Sequence, residues 1–194
     1  MKNFEFNKHF TKIYEINEWG EGSGGGSSIN NTIECREVIK QFIKEHGIKT
    51  VIDYGCGDWQ SSKLIEWGNC SYLGIDCVKH LIDEHNINYS SDTIKFECKE
   101  KLEDFFDYKG DLLILKDVIQ HWINDEIIYF LDSVKNNFKF ILITNSSHQK
   151  FDWEDTPYRS RPLSSNFFPL KKYNPIILKC YNTDHDTKEI SLIK

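Results

Sequence analysis

The stretch VIDYGCGDWQ, residues 51–60, decides how the rest of this chain is read. A short apolar run ends in an acid, Asp53, and turns at once through Gly55 and Gly57. A strand that closes on an acid and a glycine turn is the local signature of a ligand-binding parallel sheet. Glycine lets the backbone bend tightly and come close to a bound molecule. In open parallel sheets such molecules sit beyond the carboxyl ends of the strands, near the point where strand order reverses. The helix expected next, in SSKLIEW, would offer its free N–H groups to an anion. A dinucleotide fingerprint would need a third glycine, and Gln60 occupies that position.

Working outward, strand and helix patterns alternate. IECREVIKQFIKEHG carries Cys35, Val38, Ile39, Phe42 and Ile43 at helical spacing, with Gly47 as a stop and Ser27 or Ser28 as a start cap. SYLGIDCV is a second strand closing on Asp76, followed by the helical KHLIDEH and a third strand in TIKFEC. DLLILKDV is almost unbroken in its apolar character, as expected of a strand covered on both faces. NDEIIYFLDSVKNNF places Ile127, Phe130, Leu131 and Val134 on one helical face, and FKFILITN is a fifth strand. Residues 174–194 read as a hairpin around a polar turn at 182–186. This is an α/β pattern: a doubly wound, mostly parallel sheet with a C-terminal antiparallel hairpin, in one domain over 1–194.

With 39% hydrophobic and 28% charged residues, the chain has enough apolar material for a real core. The formal net charge of −6, with no long Lys/Arg run, argues against nucleic acid as a partner and favours small molecules. No apolar run reaches the length of a membrane span, and MKNFEFNKHF has no signal-peptide core. Six cysteines without C-x-x-C or zinc-site spacing point to reduced thiols in the cytoplasm and to no metal site.

Taken together, D-Y-G-C-G-D, the strand-ending Asp76, FECKE and DLLILKDVIQHW resemble the class I S-adenosylmethionine-dependent methyltransferases over roughly residues 15–145. The combination W-G-x-G-S-G-G-G-S, D-x-G-C-G-D-W-Q, K-D-V-x-Q-H-W, I-T-N and R-P-L is similar to small methyltransferases encoded with bacterial surface-polysaccharide genes. The resemblance implies a Rossmann-like methyltransferase sheet and S-adenosyl-L-methionine as cofactor. It implies cofactor contacts from Trp19, Gly24, Ser27, Asp53, Gly55, Cys56, Gly57, Asp58, Trp59, Asp76, Cys77, Glu100 and Lys116. Asp76 matches the residue that takes the ribose hydroxyls; Glu100 or Cys98 would lie by the adenine, although Lys99–Glu100 departs from the usual acid there. Residues 1–32 would form a lid over the cleft.

Methyl transfer is an in-line displacement that needs a positioned acceptor and little water. An alcohol acceptor also loses a proton, and His121, about one helical turn beyond Asp117, is the candidate base, with Asp117 orienting it or taking the proton itself. Residues 146–173 lack any clear period and carry Trp153, Tyr158, Arg159, Arg161, Phe167 and Phe168, side chains suited to phosphate and sugar rings. Asn145, His148 and Arg161 are the expected substrate contacts, and Trp122 is expected in the core. The reading is O-methylation of a sugar, nucleotide sugar or glycan-decorating group. The alternatives are N-methylation of a small amine or amide, and a non-catalytic cofactor-binding partner protein. The oligomeric state stays open.

Overall fold

A computed structural model of the chain describes residues 6–20, 22–148 and 159–194. Seven strands form one sheet in the order β3-β2-β1-β4-β5-β7-β6. They are β1 Thr50–Tyr54, β2 Ser71–Asp76, β3 Ile94–Cys98, β4 Gly110–Lys116, β5 Phe138–Ser146, β6 Ile176–Asn182 and β7 Thr187–Ile193. The first five are parallel, whereas β7 runs antiparallel to β5 and β6 antiparallel to β7. The helices are α1 Phe6–Glu15, α2 Ile33–His46, α3 Lys79–Asn88 and α4 Asn124–Val134.

The unbroken apolar run of β4 is explained by its two faces. Leu113 and Leu115 join one core cluster with Phe105, Phe130 and Leu131 of the α4 side. Leu112 and Ile114 join the other, with Cys35, Ile39 and Phe42 of α2 and Ile82 of α3. Strand side chains alternate between faces, so a strand buried on both must be apolar at every position. β5 repeats the arrangement: Ile141 and Ile143 on one side, Leu142 on the other.

Helix α2 ends as expected, with Gly47 left-handed at φ 60° and its N–H on the Ile43 carbonyl. Its start differs. Ile33 is the first helical residue and Thr32 precedes it, its hydroxyl donating back to the Ser28 carbonyl at 2.8 Å. Ser27 instead closes a single 3-10 turn, Gly25–Ser27. SSKLIEW is not a helix either, only one turn at Ser62–Leu64. Left-handed residues bracket that segment, Trp59 at φ 58° and Gly68 at φ 61°, and leave no length for propagation. The Trp67 indole N–H ties the turn by donating to the Ser62 carbonyl at 3.1 Å.

Strand order reverses between β1 and β4, which are hydrogen-bonded neighbours although β2, α3 and β3 lie between them in sequence. The carboxyl ends of β1, β2 and β4 therefore converge on one edge, and α1 with the segment after it lies across that edge.

Candidate active site

A cleft of about 430 Å³ opens there. One wall is the turn after β1. The N–H groups of Gly55 and Cys56 both donate to the Ile75 carbonyl, at 2.7 and 3.1 Å, which folds the turn against β2. Gly55 has φ 77°, and a Cβ there would meet Val118 Cγ2 at 2.3 Å, so the position admits glycine alone. Asp76 closes β2 and accepts from the backbone N–H of Gly57 at 2.9 Å and of Val78 at 3.0 Å. Burial pushes its carboxyl up, against the opposing pull of those amides. Asp53 accepts from the hydroxyls of Ser62 and Tyr72, each at 2.8 Å, and burial raises it too.

The second wall is the N-terminal strap. Ser23 N–H donates to Asp58 Oδ2 at 2.9 Å, and Asp58 N–H donates to Ser23 Oγ at 3.1 Å. This reciprocal pair fastens strap to turn, and Tyr14 adds a 2.7 Å hydroxyl contact to Ser23. Further along, Asn31 bridges the strap to the terminal hairpin. Its amide donates to the Gly25 carbonyl at 2.9 Å and its oxygen accepts from Asp184 N–H at 3.1 Å. Between these fastenings Gly24 adopts φ 83°, ψ 167°, a region essentially reserved for glycine.

The floor is charged. Asp117, just past β4, is left-handed at φ 58°. Lys116 Nζ donates to Asp117 Oδ2 at 2.9 Å and to Ser27 Oγ at 2.9 Å. Lys188 Nζ, from β7, donates to Asp117 Oδ1 at 2.8 Å. Burial alone would raise the Asp117 carboxyl, but the two ammonium groups outweigh it and hold it below its ordinary value. His121 is buried beside the floor, its ring stacked on Trp19 at 5.8 Å and edge-on to Phe10 at 5.5 Å.

No protein-family model matches the chain, and no curated protein matches it by sequence. Solved structures do match. Magnesium protoporphyrin IX methyltransferase (ChlM) from Synechocystis PCC 6803 with bound SAM superposes with a TM-score of 0.68 at 13% identity, over 99% of this chain and 98% of that one. This is the Rossmann-like methyltransferase fold. The bifunctional kinase-methyltransferase WbdD shares it at TM-score 0.63 and 16% identity, over 94% of this chain and 42% of that one. So does the N-terminal domain of EvdMO1 with SAH bound, at TM-score 0.61 and 11% identity, over 82% and 80%. The methyltransferase fold thus accounts for the parallel sheet and the terminal antiparallel pair together.

The cleft of this methyltransferase fold collects most of the residues singled out in the sequence. Trp19, Gly24, Ser27, Asp53, Gly55, Cys56, Gly57, Asp58, Asp76, Cys77, Lys116, Asp117 and His121 all line it. Glu100 lies at its rim, accepting from Asn7 Nδ2 at 2.9 Å, while Cys98 does not line it. Four residues are placed elsewhere. The left-handed backbone of Trp59 turns its indole into the core, where Nε1–H donates to Tyr72 Oη at 2.9 Å. Arg161 is buried and donates to the Trp122 carbonyl at 3.0 Å and to Asn124 Oδ1 at 2.8 Å, anchoring its loop to the start of α4. Asn145 is buried in β5 opposite Glu189, and His148 is exposed; neither lines the cleft. Trp153 and Tyr158 lie outside the described residues. Trp122 is in the core as expected, with one edge on the cleft.

Sequence reasoning missed the aromatic face of α1, Phe6, Phe10 and Tyr14, and the hairpin residues His185, Asp186 and Lys188, all lining the cleft. Lys188 carried one usable signal. It is a lysine at the start of a strand pattern otherwise rich in apolar residues.

Proposed function

We propose that this chain is a cytoplasmic S-adenosylmethionine-dependent methyltransferase that methylates a hydroxyl of a small molecule, namely a sugar, nucleotide sugar or glycan-decorating group. The observation that carries the reading is one cleft, on this fold, that holds both the β1 glycine turn and the strand-closing Asp76. The residues fit the cofactor. Asp76 accepts the Gly57 amide on one oxygen and the Val78 amide on the other, and a carboxylate has about four lone-pair sites, which leaves capacity for a ribose hydroxyl; Gly57 is bare where a Cβ would meet Ser23 Oγ at 2.4 Å. Asp76 would hold the ribose, Cys77, Leu102 and Glu100 the base, and Gly24 to Ser27 with Asp58 the amino-acid end. When bound, the cofactor supplies an electrophilic methyl on a sulfonium.

The chain's own groups supply the rest. Trp19, Phe10 and Phe6 exclude water from the mouth. Asp117 stays ionised between two lysines and is therefore a poor proton acceptor, which leaves His121 to take the acceptor's proton on a ring nitrogen. A hydroxylated acceptor suits the polar lining that Gln120, Ser146, Ser160 and His185 give the cleft. All six cysteines are free thiols, in keeping with a reducing compartment.

Calorimetry with S-adenosylhomocysteine tests the cofactor, and a screen of sugars and nucleotide sugars with labelled methyl donor tests the acceptor. Label transferred only to amines would overturn the hydroxyl assignment. Replacing His121 with Ala is expected to slow transfer by about 100-fold or more with homocysteine-form affinity retained. A change under about threefold would retire His121 as the base.

A further inference from the structure

Lys188 is the most deeply buried lysine of the cleft, and its surroundings are unusual for a strand residue. Its side chain is 5% exposed. Nζ donates to Asp117 Oδ1 at 2.8 Å and to Ser146 Oγ at 3.2 Å, and it forms an ion pair with Asp186 Oδ2 at 3.3 Å. Ser146 in turn donates to Asp186. The charge of Lys188 is thus shared between two carboxylates, Asp117 and Asp186. Lys116 pairs with one carboxylate, donating to Asp117 Oδ2 and to Ser27 Oγ.

The antiparallel pairing makes this contact possible. Ser146 lies opposite Lys188 in the β5–β7 register, and β5 is the neighbour of β4, so a side chain from the end of the chain reaches Asp117, 71 residues earlier. Asp117 itself holds a left-handed backbone at φ 58°, a conformation that costs a non-glycine residue free energy unless the surroundings enforce it. Its carboxylate is the anchor available on both oxygens.

We propose that Lys188 is a positioning residue for Asp117: from the last strand it fixes that side chain as a permanent carboxylate on the cleft floor, and it influences ligands only through Asp117. The inference rests on the methyltransferase reading for one point, the identity of what Asp117 receives. A carboxylate with two lysines bound keeps lone pairs for an O–H or N–H donor. The acceptor therefore presents a hydroxyl to Asp117.

Other charged or titratable groups face the same carboxyl. Lys116 comes from β4, Cys35 from α2, Tyr181 from β6, and Asp186 from the hairpin turn. Burial pushes the Cys35 thiol and the Tyr181 phenol up, so neither ionises in the range where Asp117 titrates. Asp186 also borders Lys188 and must be distinguished by its own substitution.

The test is carboxyl-carbon NMR of the full chain with labelled aspartate, assigned with Asp117→Asn and Asp186→Asn. Lys188→Met should raise the Asp117 midpoint by about one pH unit or more, and Lys188→Arg should restore it. Lys188→Gln, which keeps polar atoms and loses the charge, is read in the same way if the methionine variant does not fold. An unchanged Asp117 midpoint in a folded variant would overturn the proposal. In kinetics, Lys188→Met should add nothing to the loss of kcat/KM in the Asp117→Asn background. An additive loss there would show that Lys188 acts on its own. The titration needs no cofactor, so failure to bind S-adenosylhomocysteine would refute the methyltransferase reading and leave the Lys188 result standing.

Discussion

Asp76 and Asp117 stand at the ends of β2 and β4, on either side of β1, and both line the same cleft. They are held in opposite ways. Asp76 is met by neutral backbone amides of Gly57 and Val78, and burial pushes its carboxyl up. Asp117 is met by Lys116 and Lys188, which outweigh its burial and hold it down. The difference teaches what each wall is for. A carboxylate braced mainly by backbone dipoles keeps part of its hydrogen-bonding demand for a ligand, whereas one braced by two lysines is a fixed charge that organises the site.

The comparison breaks most visibly at Asp76. Asp76→Ala removes a charged acceptor and leaves the Gly57 N–H unpaired, so affinity for S-adenosylhomocysteine should fall by about 100-fold, near the upper end for a charged hydrogen bond. Isothermal calorimetry reads this directly. Affinity within a factor of about three of the parent would place the cofactor elsewhere.

The strap joins the two walls, since Ser23 is fastened to Asp58 and Ser27 to Lys116. Gly24 lies between them at φ 83°, ψ 167°. A β-branched residue cannot take that backbone without roughly 1–3 kcal/mol of strain. Gly24→Val should therefore loosen the strap, part Trp19 from His121, and weaken S-adenosylhomocysteine about tenfold. Its effect on thermal stability should be small, because Gly24 belongs to neither core cluster. A large fall in melting temperature with unchanged affinity would make the strap a structural brace.

The Asp76 wall was legible in sequence because its signals are local. An acid that ends an apolar strand has little use in a core, and the glycines follow Asp53 within four residues. The strands of the sheet were legible for the same reason, each being a short run between turn residues. The other wall depends on pairings far apart in the chain. Nothing near Lys188 says that β7 lies antiparallel beside β5, and nothing near Arg161 says that its guanidinium serves the Trp122 carbonyl. Trp59 misled for a smaller reason. One left-handed residue within the motif turns the indole from ligand to core, and residue type alone does not reveal the sign of φ.

The finest distinction between the two acids is in how stability without ligand depends on pH. Asp117 is depressed in the folded protein, so its contribution is present above the ordinary carboxylate value of about 3.9 and is lost as pH falls through its lowered folded value. Asp76 has the opposite sign. Its folded form holds a proton more firmly than the unfolded chain does, so stability declines as pH rises from about 3.9 through its raised value. Asp76→Asn should remove that decline and raise the melting temperature of the ligand-free protein at neutral pH by a few degrees, while weakening the cofactor by no more than Asp76→Ala does. Asp117→Asn should lower the melting temperature at neutral pH and flatten its fall in acid. Melting curves of both variants between acid and neutral pH check the pair together. Two variants moving in the same direction would mean that the lysines around Asp117 do not outweigh its burial, and the contrast between dipole-braced and cation-braced acids would fail.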